Sequence, residues 1–199
     1  MSSKGYNFES EVEDWFLAFT GQNKHDPILK ADDKGLIHVN RSFRIPSSGA
    51  MDSLKGDILT AIPGLPRQIK VECKSRYEHT KKDGQMIIVE KEWLSKNEAE
   101  AKADNQIPVL TFSFKRLQKD RIWWIIKKAD FGRWFNVMLP EIPQTIKPQE
   151  SKKKDTLKFA HKDLVSKKCL IFLESNTNES YLLLSHTTFG NVLTSVLAT

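Results

Sequence analysis

The run Ile69-Lys70-Val71-Glu72-Cys73-Lys74-Ser75-Arg76 constrains this chain more than any other stretch of it. Its apolar residues alternate with polar ones, and successive side chains on a strand point to opposite faces. The alternation predicts a β-strand that turns Ile69, Val71 and Cys73 into a core and projects Glu72 and Lys74 together from the other face. Just upstream lies Gly56-Asp57-Ile58-Leu59-Thr60, and if the two runs pair as a hairpin, Asp57 comes beside them. Two carboxylates and an ammonium converging on one spot are costly unless a divalent cation neutralises the acids. Hard oxygen ligands of this kind suit Mg²⁺, which takes one or two carboxylates, keeps several waters and binds phosphate. A lysine beside it can orient an attacking water and balance charge in the transition state. These features together describe metal-dependent phosphodiester cleavage. The bland alternative is a solvated strand face, which Glu-x-Lys on its own more often marks.

At 199 residues, 39% hydrophobic and 28% charged, the chain can hold one domain with a full core, or one domain with an appendage. No apolar run is long enough to span a bilayer and the N-terminus has no signal-peptide core, so no membrane role and a cytoplasmic location are expected. Cys73 and Cys169 form neither a metal-binding spacing nor a disulfide framework. A net charge of +6 favours a polyanionic partner.

Phe8, Val12, Trp15, Phe16 and Phe19 recur at helical steps, which predicts an amphipathic helix over 7–20 ending near Gly21. Glu9, Glu11, Glu13 and Asp14 crowd its first turns, where the helix dipole alone favours acids. Residues 22–34 read as a polar loop, 36–45 as a strand, 57–62 and 68–76 as the central hairpin, and 77–84 as a mobile loop. A short strand at 86–89, a helix over 91–104, strands at 108–114 and 122–127, and a short helix capped by Asp130 follow. Trp123 and Trp124 face opposite sides, one towards the core and the other towards a helix or a partner chain. The five histidines show no ligand spacing and read as surface residues. Pro140, Pro143 and Pro148 then punctuate a segment leading to Lys152-Lys153-Lys154, which is either a solvated linker or a DNA contact. Residues 169–173 and 181–184 read as a second hairpin that either extends the sheet or seals the core. This hairpin runs into Phe189-Gly190, as the earlier one runs into Phe131-Gly132. The echo is either a degenerate duplication or two ordinary hairpin–helix units, and chance is the favoured reading.

Gly56-Asp57 followed by Glu72-Cys73-Lys74 resembles the signature of the PD-(D/E)xK nuclease superfamily, with Gly in the place of the usual Pro. Within it the chain is most similar to the archaeal-type Holliday-junction resolvases and their phage-encoded relatives. Lys4-Gly5-Tyr6-Asn7-Phe8-Glu9 resembles the family's opening, and Arg44-Ile45-Pro46-Ser47-Ser48-Gly49 its loop ahead of the catalytic Asp. Ile107 to Phe112 and Trp123 to Ile126 resemble its late hairpin. The blocks keep their order over about residues 4 to 136 and do not reach 143–199, and Asp26 to Asn40 is longer than in compact archaeal members.

The resemblance implies an α/β fold with a restriction-endonuclease-like mixed β-sheet flanked by helices. Residues 1–140 would be the nuclease core, 141–168 a Pro/Lys-rich linker or basic segment, and 169–199 a hairpin/helix extension. It implies Mg²⁺, with Mn²⁺ as a substitute, held by Asp57, Glu72, the helix-borne Glu9 and the backbone carbonyl of Cys73. Lys74 would position the water, and Ser48, or Ser47 if the register slips by one, would assist cleavage. Lys4, Arg41, Arg44, Ser47, Arg76, Lys152, Lys153 and Lys154 are the candidate DNA contacts, against plain solvation for the two strand-edge arginines. The implied substrate is a four-way DNA junction, whose near two-fold symmetry a homodimer matches. The rivals are a related nuclease cutting duplex or flap DNA and a DNA-binding module with a decayed site.

Overall fold

The computed structural model describes residues 3–45, 56–75, 78–81, 84–114, 117, 120–151, 155–165 and 167–199, without the side chains of 3–7, 78–81 and 84. Helix α1, Ser3–Thr20, buries Phe8, Val12, Phe16 and Leu17 along one face, as the apolar spacing requires. It ends at Gly21, whose φ of +68° suits a residue without Cβ and lets Gln22 N–H return to Leu17 O at 2.9 Å.

Eight strands form the main sheet. In chain order they are β3 (Phe43–Arg44), β4 (Ile58–Thr60), β5 (Ile69–Ser75), β8 (Ile107–Ser113), β9 (Ile122–Lys127), β10 (Gln144–Thr145), β13 (Cys169–Glu174) and β14 (Glu179–Ser185). Their order across the sheet is β10-β13-β14-β9-β8-β5-β4-β3. The pairs β5·β8 and β10·β13 are parallel and the rest antiparallel. A second sheet holds β6 (Glu78–Lys81), β7 (Gly84–Glu90), β11 (Gln149–Ser151) and β12 (Thr156–Ala160) in the order β11-β12-β7-β6. A small hairpin of β1 (Leu29–Ala31) and β2 (Ile37–Val39) stands apart.

The main sheet carries a core on each face. On one face, α1, α3 (Lys128–Trp134) and α5 (His186–Leu197) pack over Ile58, Ile69, Val71, Trp124 and Leu184. On the other, α2 (Lys91–Ala103), α4 (His161–Val165) and the second sheet cover Leu110, Phe112, Trp123, Ile125 and Leu183. Fully burying one such aliphatic or aromatic side chain stabilises the fold by about 1.5–3 kcal/mol. A mixed sheet between helical layers is the architecture that the sequence predicts.

Several details differ from the sequence reading. The 22–34 loop contains β1, and 77–84 carries all of β6 and the start of β7. The Pro- and Lys-rich stretch over 141–168 holds β10, β11, β12 and α4, with Leu157, Phe159 and Leu164 buried. Within the lysine-rich surroundings, Thr156–Ala160 alternates apolar and polar residues, which suits a strand packed on one face. Asp130 lies in the first turn of α3 and is not its cap, which is Lys127 without a side-chain cap bond. Trp123 and Trp124 are both fully buried, one in each core, because the sheet is covered on both faces. His186 is half-buried between Trp15 and Trp124, where its Nδ1 accepts the Trp124 indole N–H at 3.1 Å. Burial there lowers its pKa. His161 is likewise half-buried, against Phe114.

Candidate active site

Strand β5 sets the site. Ile69, Val71 and Cys73 point into the α1-side core, while Lys70, Glu72 and Lys74 share the opposite face. Strand β4 pairs with β5 through Ile58↔Val71, and Asp57, just before β4, meets β5 at Val71 and Cys73, on either side of Glu72. Asp57 is held from three directions. Its N–H donates to Val71 O at 3.0 Å, its carbonyl accepts from Ile45 N–H at 2.9 Å, and its carboxylate Oδ2 accepts the Cys73 N–H at 2.7 Å. Glu72 Oε1 and Lys74 Nζ are 2.5 Å apart, and the ammonium stands 5.0 Å above the Trp93 ring of α2.

The local field is that of an acid cluster. Burial, then the charge of Glu72, push the Asp57 carboxyl up to about 6, with Glu9 adding to the rise and the Cys73 N–H and Lys74 opposing it. Glu9 on α1 is raised too, first by burial and then by Glu72, against the pull of Arg44 and Lys74. Burial and the same three carboxylates hold the Cys73 thiol far up in its neutral form. Residues from α1, β3, β4 and β5 therefore act on one place, although Glu9 lies about fifty residues before Asp57 in the chain.

A cleft of about 180 Å³ opens beside Glu72 and Lys74, lined further by Glu92, Trp93, Lys96, Asn97 and Glu100 of α2. Asn97 Nδ2 donates to Val109 O at 3.1 Å, while its buried Oδ1 has no hydrogen-bond partner among the described residues. That oxygen is an acceptor left for a water or a ligand N–H.

This chain matches the family described as phage putative PDDEXK endonuclease over residues 1–168. It belongs to that family. No curated protein and no solved structure matches it. The family makes the chain a nuclease of the PD-(D/E)xK superfamily, hydrolases of DNA that usually use divalent metals. No helix among the described residues is long and apolar enough to cross a membrane.

In this PDDEXK chain the residues expected from the sequence divide into three groups. Glu9, Asp57, Glu72 and Lys74 come together, and Arg44 adds its positive field at Glu9. Arg41 is engaged in packing: its guanidinium donates to Asp26 O at 2.7 Å and Ser42 O at 2.8 Å and pairs with Glu13 at 3.6 Å. Ser47, Ser48, Arg76, Lys152, Lys153 and Lys154, and the side chain of Lys4, lie outside the described residues.

A divalent cation fits this donor set in a limited way. Among the described residues no three His, Cys, Asp or Glu side chains converge closely enough to hold a metal by themselves. Two adjacent carboxylates, one of them buried and raised by its neighbour, suit an ion that takes one or two acids and keeps most of its water.

Sequence reasoning missed the support beneath the site. Lys70 is completely buried, with its ammonium on Glu100 of α2. Gly56 has φ +100° and a Cβ there would stand 2.7 Å from Lys70 Cε. This explains Gly where the superfamily usually has Pro, since Pro is fixed near −65°. The alternation of β5 already put Lys70 on the face of Glu72 and Lys74; its burial follows only from α2 closing over it.

Proposed function

We propose that the protein is a Mg²⁺-dependent DNA endonuclease whose metal is held by Asp57 and Glu72. The observation that carries this is the meeting of Asp57, Glu72, Glu9 and Lys74 at one end of β5, where burial and the charge of Glu72 raise both Asp57 and Glu9. When bound, the ion would supply positive charge to the scissile phosphate and acidify a water. Glu9 adds negative charge that favours cation binding, directly or through water. Lys74, held between Glu72 and the Trp93 face, orients the water and offsets charge on the phosphate. The Cys73 N–H orients the Asp57 carboxylate, and the Cys73 carbonyl is the further ligand that the resemblance suggests. Arg44, Lys4, Arg76 and the loop serine, Ser48 or Ser47, are assigned to the phosphates by the resemblance. Arg41 is left out of this set because its guanidinium is already bonded. Mn²⁺ takes the same oxygen ligands and should substitute.

The narrower reading is cleavage of four-way junctions, and it rests on the order of the motifs over residues 4–136. One experiment tests both levels: incubation with four-way junction, flap, duplex and single-stranded DNA in Mg²⁺, beside Asp57→Asn. Cleavage lost in Asp57→Asn with DNA binding kept supports the endonuclease, and preference for the junction supports the resolvase. DNA bound but never cut, in Mg²⁺ or Mn²⁺, points to a DNA-binding module with a decayed site.

A further inference from the structure

Residues 144–197 repeat the element order of residues 69–134, and the strand pairings of each sheet relate the two units by a pseudo-two-fold. The unit β5-β6-β7-α2-β8-β9-α3 is followed by β10-β11-β12-α4-β13-β14-α5, element for element. Both units make a parallel pair from their first strand, β5·β8 and β10·β13, and both pass from strand to helix without a loop at Glu90-Lys91, Lys127-Lys128, Ala160-His161 and Ser185-His186. In the main sheet the units meet at β9·β14, and in the second sheet at β7·β12. Both sheet orders are palindromic about those junctions, apart from the extra β4 and β3.

The side chains keep the same register. One row across the main sheet reads Glu72, Leu110, Ile125, Leu183, Leu170, Gln144, with the axis between Ile125 and Leu183. The step that carries Ile125 to Leu183 also carries Phe131 to Phe189 and Gly132 to Gly190, and both phenylalanines are buried in the same core. The step from Leu110 to Leu170 carries Phe112 to Phe172, both in the opposite core. In the second sheet the axis passes between Ile88 and Lys158, and Ile87 and Val89 map onto Leu157 and Phe159, all four buried. Two sheets, each with such a pseudo-two-fold and matched core residues, are not two unrelated hairpin–helix units.

The copy is chemically empty. Gln144 stands where Glu72 stands, and two residues on, Ile146 takes the place of Lys74. The strand β4 that carries Asp57 up to β5, and the helix that carries Glu9, have no counterpart among the described residues. Helix α4 has 5 residues against 13 in α2, and so lacks the turns that hold Asn97 and Glu100 beside the site.

We infer that the chain is a pseudo-dimer in cis: residues 144–197 occupy the β7 and β9 edges where a second subunit would otherwise pair, so the active unit is a monomer with one metal site that makes one cut per encounter. The single cut and the metal site rest on the endonuclease reading; the monomer does not. A junction, if that is the substrate, must then recruit two such monomers through other surfaces.

The test uses the full-length chain. Sedimentation velocity from about 1 to 100 µM should give a species of 22.9 kDa throughout. Titration with Mn²⁺, read by electron paramagnetic resonance, should give one site per chain, at least tenfold weaker in Glu72→Gln and unchanged in Gln144→Ala. Under single-turnover conditions supercoiled plasmid should become open circle, with linear DNA only after a lag. A dimer, two Mn²⁺ per chain, or linear DNA formed without prior open circle overturns the inference. A monomer that binds one Mn²⁺ and cuts no DNA refutes the endonuclease reading and leaves the pseudo-dimer standing.

Discussion

The buried ammonium beneath strand β5 offers a sharp quantitative test. Lys70 is fully enclosed and its one described charge partner is Glu100, whose side chain is 16% exposed. Lys70→Met keeps the aliphatic stem and removes the charge, leaving Glu100 partly buried and unpaired. Removing one partner of a buried pair costs about 3–5 kcal/mol. Glu100 can turn towards Lys96, whose Nζ is already 4.0 Å from its other oxygen, so the lower figure applies. For a chain of this size each kcal/mol moves Tm by about 2–4 °C, so a fall of about 6–12 °C is expected. Glu100→Gln should cost more, about 4–5 kcal/mol, because the stranded Lys70 ammonium has no route to water. The double variant removes both charges and should recover most of the loss. Urea and thermal denaturation followed by circular dichroism, arranged as a double-mutant cycle, measure all three. A Lys70→Met protein within about 0.5 kcal/mol of wild type, or a double variant as unstable as the sum of the singles, refutes the argument.

Lys74→Ala should lower single-turnover cleavage by about a hundredfold, the scale of losing one preorganised electrostatic group, and a drop under about threefold would return Lys74 to the solvated surface. Gly56→Ala should impair cleavage as well as stability, since its Cβ would sit 2.7 Å from Lys70 Cε at φ +100°. Wild-type cleavage by that variant would show that the Gly56–Lys70 contact does not position Asp57. Glu174 gives a pH test remote from the site. Burial alone would raise its carboxyl, yet Lys91, the Thr177 hydroxyl and the N–H groups of Asn176 and Thr177 bring it down to about 2. A carboxyl depressed in the folded state stabilises above its unfolded pKa and loses that contribution as pH falls. Glu174→Gln should therefore lower stability by about 2 kcal/mol at pH 7, with the gap closing between about pH 4.5 and 2. A gap that is constant with pH, seen in thermal melts across that range, refutes the linkage.

The sequence alone determined strand β5, which carries the candidate site. Period-two alternation over Ile69–Ser75 assigned its faces, and the helical spacing of Phe8, Val12 and Phe16 placed α1, because both patterns are local consequences of backbone geometry. Asp57 beside Glu72 was legible as well, since a short link between two strand-like runs favours their pairing. The tertiary structure decided what depends on residues distant in the chain. It enclosed Lys70 under α2, gave Gly56 its reason, tied Arg41 to Asp26, Ser42 and Glu13, and buried both Trp123 and Trp124. It also decided the meaning of the Phe131-Gly132 and Phe189-Gly190 echo. Two matching dipeptides arise easily by chance, whereas a pseudo-two-fold at Ile125↔Leu183 and again at Ile88↔Lys158 requires the pairing of whole strands. No local pattern encodes that pairing, because it is selected by the burial of both sheet faces at once.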